Sequence, residues 1–229
     1  MSDHRLGDSG VVKGNLDLPR VGAWTADVLL SATSAPTVGS VLPLVVGGTS
    51  RLGCVVEAGA EYAQAKCRVV GGRGQLGRVL AARQYRGESA STIAQDALRD
   101  AGEQPGAWTP FDFFCGHWLR SRGLCRDALR RLARAAAREL LDRDGAPLDF
   151  AWRVEPDGTV DAVVDEWATA PAEFDILAAF PQERAVVLGV YDGALSPGST
   201  IEVYGTSRRV ERVLYHFDPD GFAAEVWHR

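Results

Sequence analysis

The hydrophobic period of this chain changes across Gly71–Glu103 (GGRGQLGRVLAARQYRGESASTIAQDALRDAGE), and that change constrains the fold more than any other feature. Before it, apolar and polar residues alternate in short segments broken by glycine, the pattern of half-buried strands. Within it, Ser89, Ser91 and Thr92 offer hydroxyl oxygens to orphan backbone N–H groups. Ile93, Ala97, Leu98 and Ala101 then recur at helical spacing until Gly102. This predicts a capped, three-turn amphipathic helix over 91–101. The stretch is a junction between two kinds of structure.

On the N-terminal side, Trp24, Ala26, Val28 and Leu30 alternate with Thr25, Asp27 and Leu29. A loop over 32–39 precedes Val41–Val46, and segments 52–58 and 62–70 follow. Glycines 47, 48, 53, 71, 72, 74 and 77 are read as turns and bulges. Short strands at spacings of roughly 8–12 residues argue for a small antiparallel barrel or sandwich over about residues 11–86. Residues 1–20 are polar and glycine-containing, and are expected to form a flexible arm with at most a short entry strand at Val11 and Val12.

Beyond the helix, two prolines and two glycines in 103–116 (EQPGAWTPFDFFCG) enforce a loop, while Trp108, Phe111, Phe113 and Phe114 form an aromatic cluster that must pack against something. Leu124–Leu141 is the strongest helix: Cys125, Leu129, Leu132, Ala136 and Leu140 share one face, Arg126, Arg130, Arg134 and Arg138 another, and 142–146 ends it. Trp152 and Val154 alternate up to a Pro156-Asp157-Gly158 turn, and Val160, Ala162 and Val164 return, which predicts a hairpin. Strands are expected again at 185–191, 200–204, 209–217 and 222–227, separated by Asp-Gly, Ser-Pro-Gly and Asp-Pro-Asp-Gly turns. The fold class is therefore α+β and β-rich: two small antiparallel β-barrel domains with a helical insert. The divisions are an arm (1–20), a first barrel (21–90), the insert (91–150), and the hairpin with a second barrel (151–229).

With 229 residues, 46% of them hydrophobic, the chain can bury a proper core. The N-terminus lacks a basic segment followed by an apolar one, and the longest apolar run, Val41–Val46, is too short to span a bilayer. No membrane insertion is expected, and synthesis in the cytoplasm is. Cys54, Cys67, Cys115 and Cys125 fit neither a disulfide framework nor a zinc ribbon, and are read as reduced, buried thiols. The net charge of −5 divides into +3 over 1–90, zero over 91–150 and −8 over 151–229. An acidic final third repels phosphate backbones, which argues against sequence-specific nucleic-acid binding.

Candidates for chemistry are few. Cys115, His117 and Cys125 have no zinc-like spacing and no fourth ligand. His216 with Asp218 is read as structural, and the pairs Asp165-Glu166 and Glu173-Asp175 as exposed surface. Gly71-Gly72-Arg73-Gly74 lacks the ending and the βαβ setting of a phosphate loop. No catalytic residue, metal site or cofactor is assigned. For contact with other proteins the residues singled out are Tyr85, Arg86, Leu98, Trp108, Phe111, Arg130 and Arg134.

Four motifs in order carry a resemblance. They are Ala82-Arg83-Gln84-Tyr85-Arg86 and the helix bearing Thr92, Asp96, Leu98, Ala101, Gly102 and Glu103. The helix over 128–135 leads to the Asp157-Gly158-Thr159 turn, and Pro197-Gly198-Ser199-Thr200-Ile201 opens a strand. Over about residues 20–217 the chain resembles the baseplate hub proteins of phage tails and phage-like contractile systems, the group that includes the late control protein D family. The resemblance implies a non-enzymatic homotrimer whose two barrels per chain make six similar modules, matching a hexameric tail tube above and a trimeric central spike below. It implies tube, spike and other baseplate proteins as partners, a place in the tail baseplate of the virion or particle, and assembly in the bacterial host cytoplasm. The acidic final third would line a lumen, and any cell-wall hydrolysis would reside on another protein. The rival readings are a phage-type cell-wall hydrolase using His117, His216 or the Asp165-Glu166 region, and a carbohydrate- or receptor-binding tail module using the aromatic cluster.

Overall fold

Six strands close on themselves in the N-terminal half: β1 (Arg5–Leu6), β2 (Ser9–Pro19), β3 (Thr25–Leu30), β4 (Val41–Val46), β5 (Thr49–Glu61) and β6 (Gln64–Gly71). The computed structural model describes residues 4–61, 64–140, 145, 148–170, 174–219 and 221–229. The start of the strand expected from Tyr62, the helix end expected at Leu141–Ala146 (Gly145 apart), Pro171, Glu173 and Asp220 lie outside the described residues. The strand order β1-β4-β5-β6-β3-β2 returns to β1 through Arg5↔Gly10 and Leu6↔Ser9, which makes a closed barrel. Alternation aims Trp24, Ala26, Val28 and Leu30 inward. Gly53 and Gly71, opposite each other on β5 and β6, make room for the Trp24 indole: a Cβ on either would come to 2.5 Å from that ring. These two glycines are therefore packing positions in the ladder, where the sequence predicts turns or bulges.

The expected flexible arm is a strand. One edge of β2 pairs with β3, and the other is divided between β1, which closes the barrel, and β16 (Thr206–Phe217). The remaining strands of this C-terminal group are β13 (Phe174–Phe180), β14 (Ala185–Val190), β15 (Thr200–Val203) and β17 (Phe222–His228). Their order continues β2-β16-β17-β14-β13, with β15 on β16, so both β modules belong to one eleven-stranded sheet. Leu16 and Leu18 are buried, and Gly14 lets the strand pass the Phe217 ring, where a Cβ would meet ring carbons at about 2.9 Å.

Between the modules lie β7 (Val79–Leu80), β8 (Arg83–Ser89), α1 (Ala90–Ala101), a 3-10 turn (Thr109–Phe111), β9 (Phe114–Arg120), β10 (Gly123–Leu124), α2 (Cys125–Glu139), β11 (Phe150–Val154) and β12 (Val160–Val164). α1 starts where Ser89 Oγ accepts from Thr92 N and ends at Gly102 in the left-handed region, φ 95°. α2 turns Cys125, Ala128, Leu129, Leu132 and Ala136 inward and packs on α1, where the Cys125 thiol donates to Ala97 O. The β11–β12 hairpin forms in register from Phe150↔Val164 to Val154↔Val160. At its turn the Asp157 carboxylate accepts from both the backbone N and the hydroxyl of Thr159, bonds that hold its pKa below the usual carboxylate value. The aromatic loop packs against this hairpin. Trp108 donates from Nε1 to Val160 O at 2.8 Å, and Trp108, Phe111 and Phe150 form edge-to-face pairs at 5.3 and 4.9 Å.

Candidate interaction surface

The strand bearing the Ala82–Arg86 motif lies outside the barrel, contrary to expectation. β8 pairs only with β9, forming an isolated ribbon from Arg83↔Arg120 to Ser89↔Phe114. The first three residues of β9, Phe114 to Gly116, fall in the expected aromatic loop, and no element is expected over 117–120. The ribbon is held from below: Tyr85 is buried, Arg83 lies over its ring at 5.2 Å and bridges Asp96 at 3.1 Å, and Arg120 bonds Asp100 at 2.5 Å. Gln84 and His117 are bonded to each other, Arg86 is exposed, and Leu119 and Phe114 remain 62% and 74% exposed. Both outer edges of the ribbon carry no partner strand among the described residues. Free edges beside exposed apolar side chains are where another chain can pair.

Of the seven residues singled out for contact, the structure divides four from three. Tyr85, Leu98, Trp108 and Phe111 are at most 5% exposed and belong to the core of this chain, because helix spacing and the loop's aromatics mark what packs inward. Arg86, Arg130 and Arg134 face outward. Arg130 is 3.6 Å from Asp127 one turn back, an exposed pair that leaves the arginine face of α2 solvated.

The histidines considered for catalysis each have a side-chain partner. An open groove of about 660 Å³ beside β2, β3 and β16 contains His216 and Asp218. His216 Nδ1 is 2.8 Å from Asn15 Oδ1 and its Nε2 is 4.0 Å from Glu225, while no hydroxyl or thiol is bonded to it among the described residues. His117 is tied to Gln84, and no group of three metal-ligating side chains occurs among the described residues. All four cysteines are buried with free thiols; burial pushes their pKa values up, that of Cys125 to about 12.

Two readings change. Asp165, expected at the surface, is 8% exposed and bridges Arg20 at 2.9 Å and Arg153 at 3.0 Å. Arg20 also reaches Asp149 and Glu211, and Trp167 is surrounded by Arg20, Arg209 and Arg229 while donating to Asp149. Gly198 of the Pro-Gly motif sits against Asp165, where any Cβ would overlap the carboxylate. The glycine loop at 71–74 does hold an anion, and the chain supplies it: Glu103 accepts from Arg73 N at 2.9 Å and Gln75 N at 2.5 Å.

No protein-family model matches the sequence, and no curated protein does. Solved structures do. The fold is similar to that of the 43 kDa tail protein of prophage MuSo2 from Shewanella oneidensis, with a TM-score of 0.71 at 9% identity over 99% of this chain and 97% of that one. It is similar to a tail protein from Neisseria meningitidis MC58, with a TM-score of 0.67 at 10% identity, covering 99% and 95% of the two chains. An E. coli component of the type VI secretion system, itself structurally similar to the T4 bacteriophage tail proteins gp27 and gp5, matches with a TM-score of 0.63 at 10% identity over 99% of this chain and 74% of that one. The chain shares the fold of these proteins over 99% of its length.

Proposed function

We propose that this protein is a non-enzymatic baseplate hub of a phage tail or phage-like contractile particle, a homotrimer that joins a hexameric tail tube to a trimeric central spike. The observation that carries the reading is the likeness to tail proteins over 99% of the chain. The closed barrel and the C-terminal sheet give each chain two β modules, so three chains present six to a tube, and the isolated β8–β9 ribbon offers edges for subunit contact. Tube, spike and other baseplate proteins are the partners, and the assembled site is the tail baseplate, reached from the host cytoplasm.

Light scattering tests it: the expected mass is three times the 24.6 kDa chain. Leu119→Glu or Phe114→Glu should shift the population toward monomer while leaving the far-ultraviolet circular dichroism of the folded chain unchanged, since both side chains are exposed. A monomer at every concentration would overturn the trimer. Cell-wall lysis in a zymogram that is lost in His216→Ala would overturn the non-enzymatic reading.

A further inference from the structure

At the outer end of the C-terminal sheet a cleft of about 510 Å³ opens between two hairpin tips. One lip is the turn from β13 to β14, with Pro181 and Arg184; the other is the turn from β15 to β16, with Tyr204 and, just beyond it, Arg208. The end of β17 forms a wall at His228. Both turns place a residue with a side chain in the left-handed region, Arg184 at φ 52° and Tyr204 at φ 48°, and among the described residues only Trp167 does the same. Such conformations persist where surrounding structure enforces them, and they concentrate at ligand clamps. Here the His228 N–H bonded to Arg184 O fastens the first turn to β17.

The charges in the cleft are unusual for their region. Residues 151–229 carry −8, yet Arg184 and Arg208 have no carboxylate within ion-pair distance among the described residues. Arg229, on the same wall, is already neutralised by Asp149 and Glu211. His228 is pushed below its ordinary pKa by burial first and by Arg208 and Arg184 next, so both guanidinium fields converge on one ring. The floor is apolar: Ala179 is part-exposed, and Val186 and Val203 are buried.

We propose that this cleft docks an extended segment of a protein partner that presents a carboxylate beside an apolar side chain, the carboxylate between Arg184 and Arg208 and the apolar group over Ala179, Val186 and Val203. Guanidinium groups suit a carboxylate because each offers paired donors. A polyphosphate is disfavoured, since it would bring many charges into an acidic field where only two arginines are unneutralised. β13, which contributes Ala179, is the last strand of its sheet and has an outer edge with no strand on it among the described residues, so an extended segment can continue the sheet.

The test is an NMR titration of the full chain with N-acetyl-leucine, its neutral amide and inorganic phosphate. The acid should shift the Val203, Tyr204 and His228 signals saturably, with the amide at least tenfold weaker. Arg184→Gln and Arg208→Gln should each weaken the acid by roughly tenfold or more, the loss expected when a charge-assisted bond is removed, with an unchanged unfolding midpoint as the control for folding. Equal binding of acid and amide, phosphate binding as tightly as the acid, wild-type binding by both variants, or no shift at all would each overturn the proposal. The outcome is independent of the oligomeric state.

Discussion

Glu103 accounts for a loop that sequence alone leaves without a purpose. Gly71-Gly72-Arg73-Gly74 has the look of an anion cradle, and its amides do bind an anion, but the carboxylate comes from the residue that follows the C-cap of α1, thirty positions along from Arg73. Only the backbone of Arg73 takes part in that contact. Glu103→Ala should therefore cost about 2–3 kcal/mol in urea unfolding, because it removes the buried carboxylate that accepts two charge-assisted hydrogen bonds from the loop. Arg73→Ala should stay within about 0.5 kcal/mol. Equal losses would mean that the loop is held by the arginine side chain. The thiols invite a second measurement at this scale. Burial raises the pKa of all four, so the thiolate fraction at pH 8 falls below that of an ordinary cysteine. An aromatic disulfide reagent should label none of them rapidly in the folded protein and all four in denaturant; rapid labelling of one native thiol would show that its neighbourhood opens.

The motifs, taken as elements, are joints. Arg83 of β8 holds Asp96 of α1, Glu103 ties the end of α1 to the glycine loop, and Pro197-Gly198 leaves space for Asp165 between Arg20 and Arg153. The two helices and the β11–β12 hairpin were legible because their signals are local: a cap, a 3.6-residue period, a turn triplet. The partners of Asp165 were not, since Arg20 lies 145 residues away. β9 and β13 were missed because β9 does not alternate and β13 follows an Ala/Pro-rich stretch that reads as a linker. The contact residues fared similarly. A period identifies a buried face, so Tyr85 and Leu98 proved to be core, whereas the exposed Leu119 carries no such signal. Tyr85 gives this scale its test. Its hydroxyl is buried with no hydrogen-bond partner among the described residues, so Tyr85→Phe should be neutral or stabilising, whereas Tyr85→Ala should cost about 3–5 kcal/mol and loosen the ribbon. A Tyr85→Phe loss above about 1 kcal/mol would reveal a bond made by that hydroxyl.

For the whole molecule, the decisive strand is the one with the weakest sequence signal. Ser9–Pro19 mixes Lys13, Asn15 and Asp17 with two glycines, and only Leu16 and Leu18 are strongly buried, so the segment reads as a polar arm. Its polar residues lie along a ladder whose bonds are made by backbone, and β2 supplies that backbone to three strands at once: β1, β3 and β16. It completes the barrel and joins it to the C-terminal sheet. Two independent barrels linked by an insert would unfold in two steps, and losing a flexible arm would disturb neither. With β2 shared, loss of residues 1–19 opens the barrel and exposes the edge of β16 together. The truncated chain should fail to give a cooperative transition, and the intact chain should unfold with coincident midpoints for Trp24 in the barrel and Trp227 on β17, each followed in a variant whose other tryptophans are phenylalanine. Separate midpoints, or a truncated chain that still melts cooperatively, would place the link between the modules elsewhere than in β2.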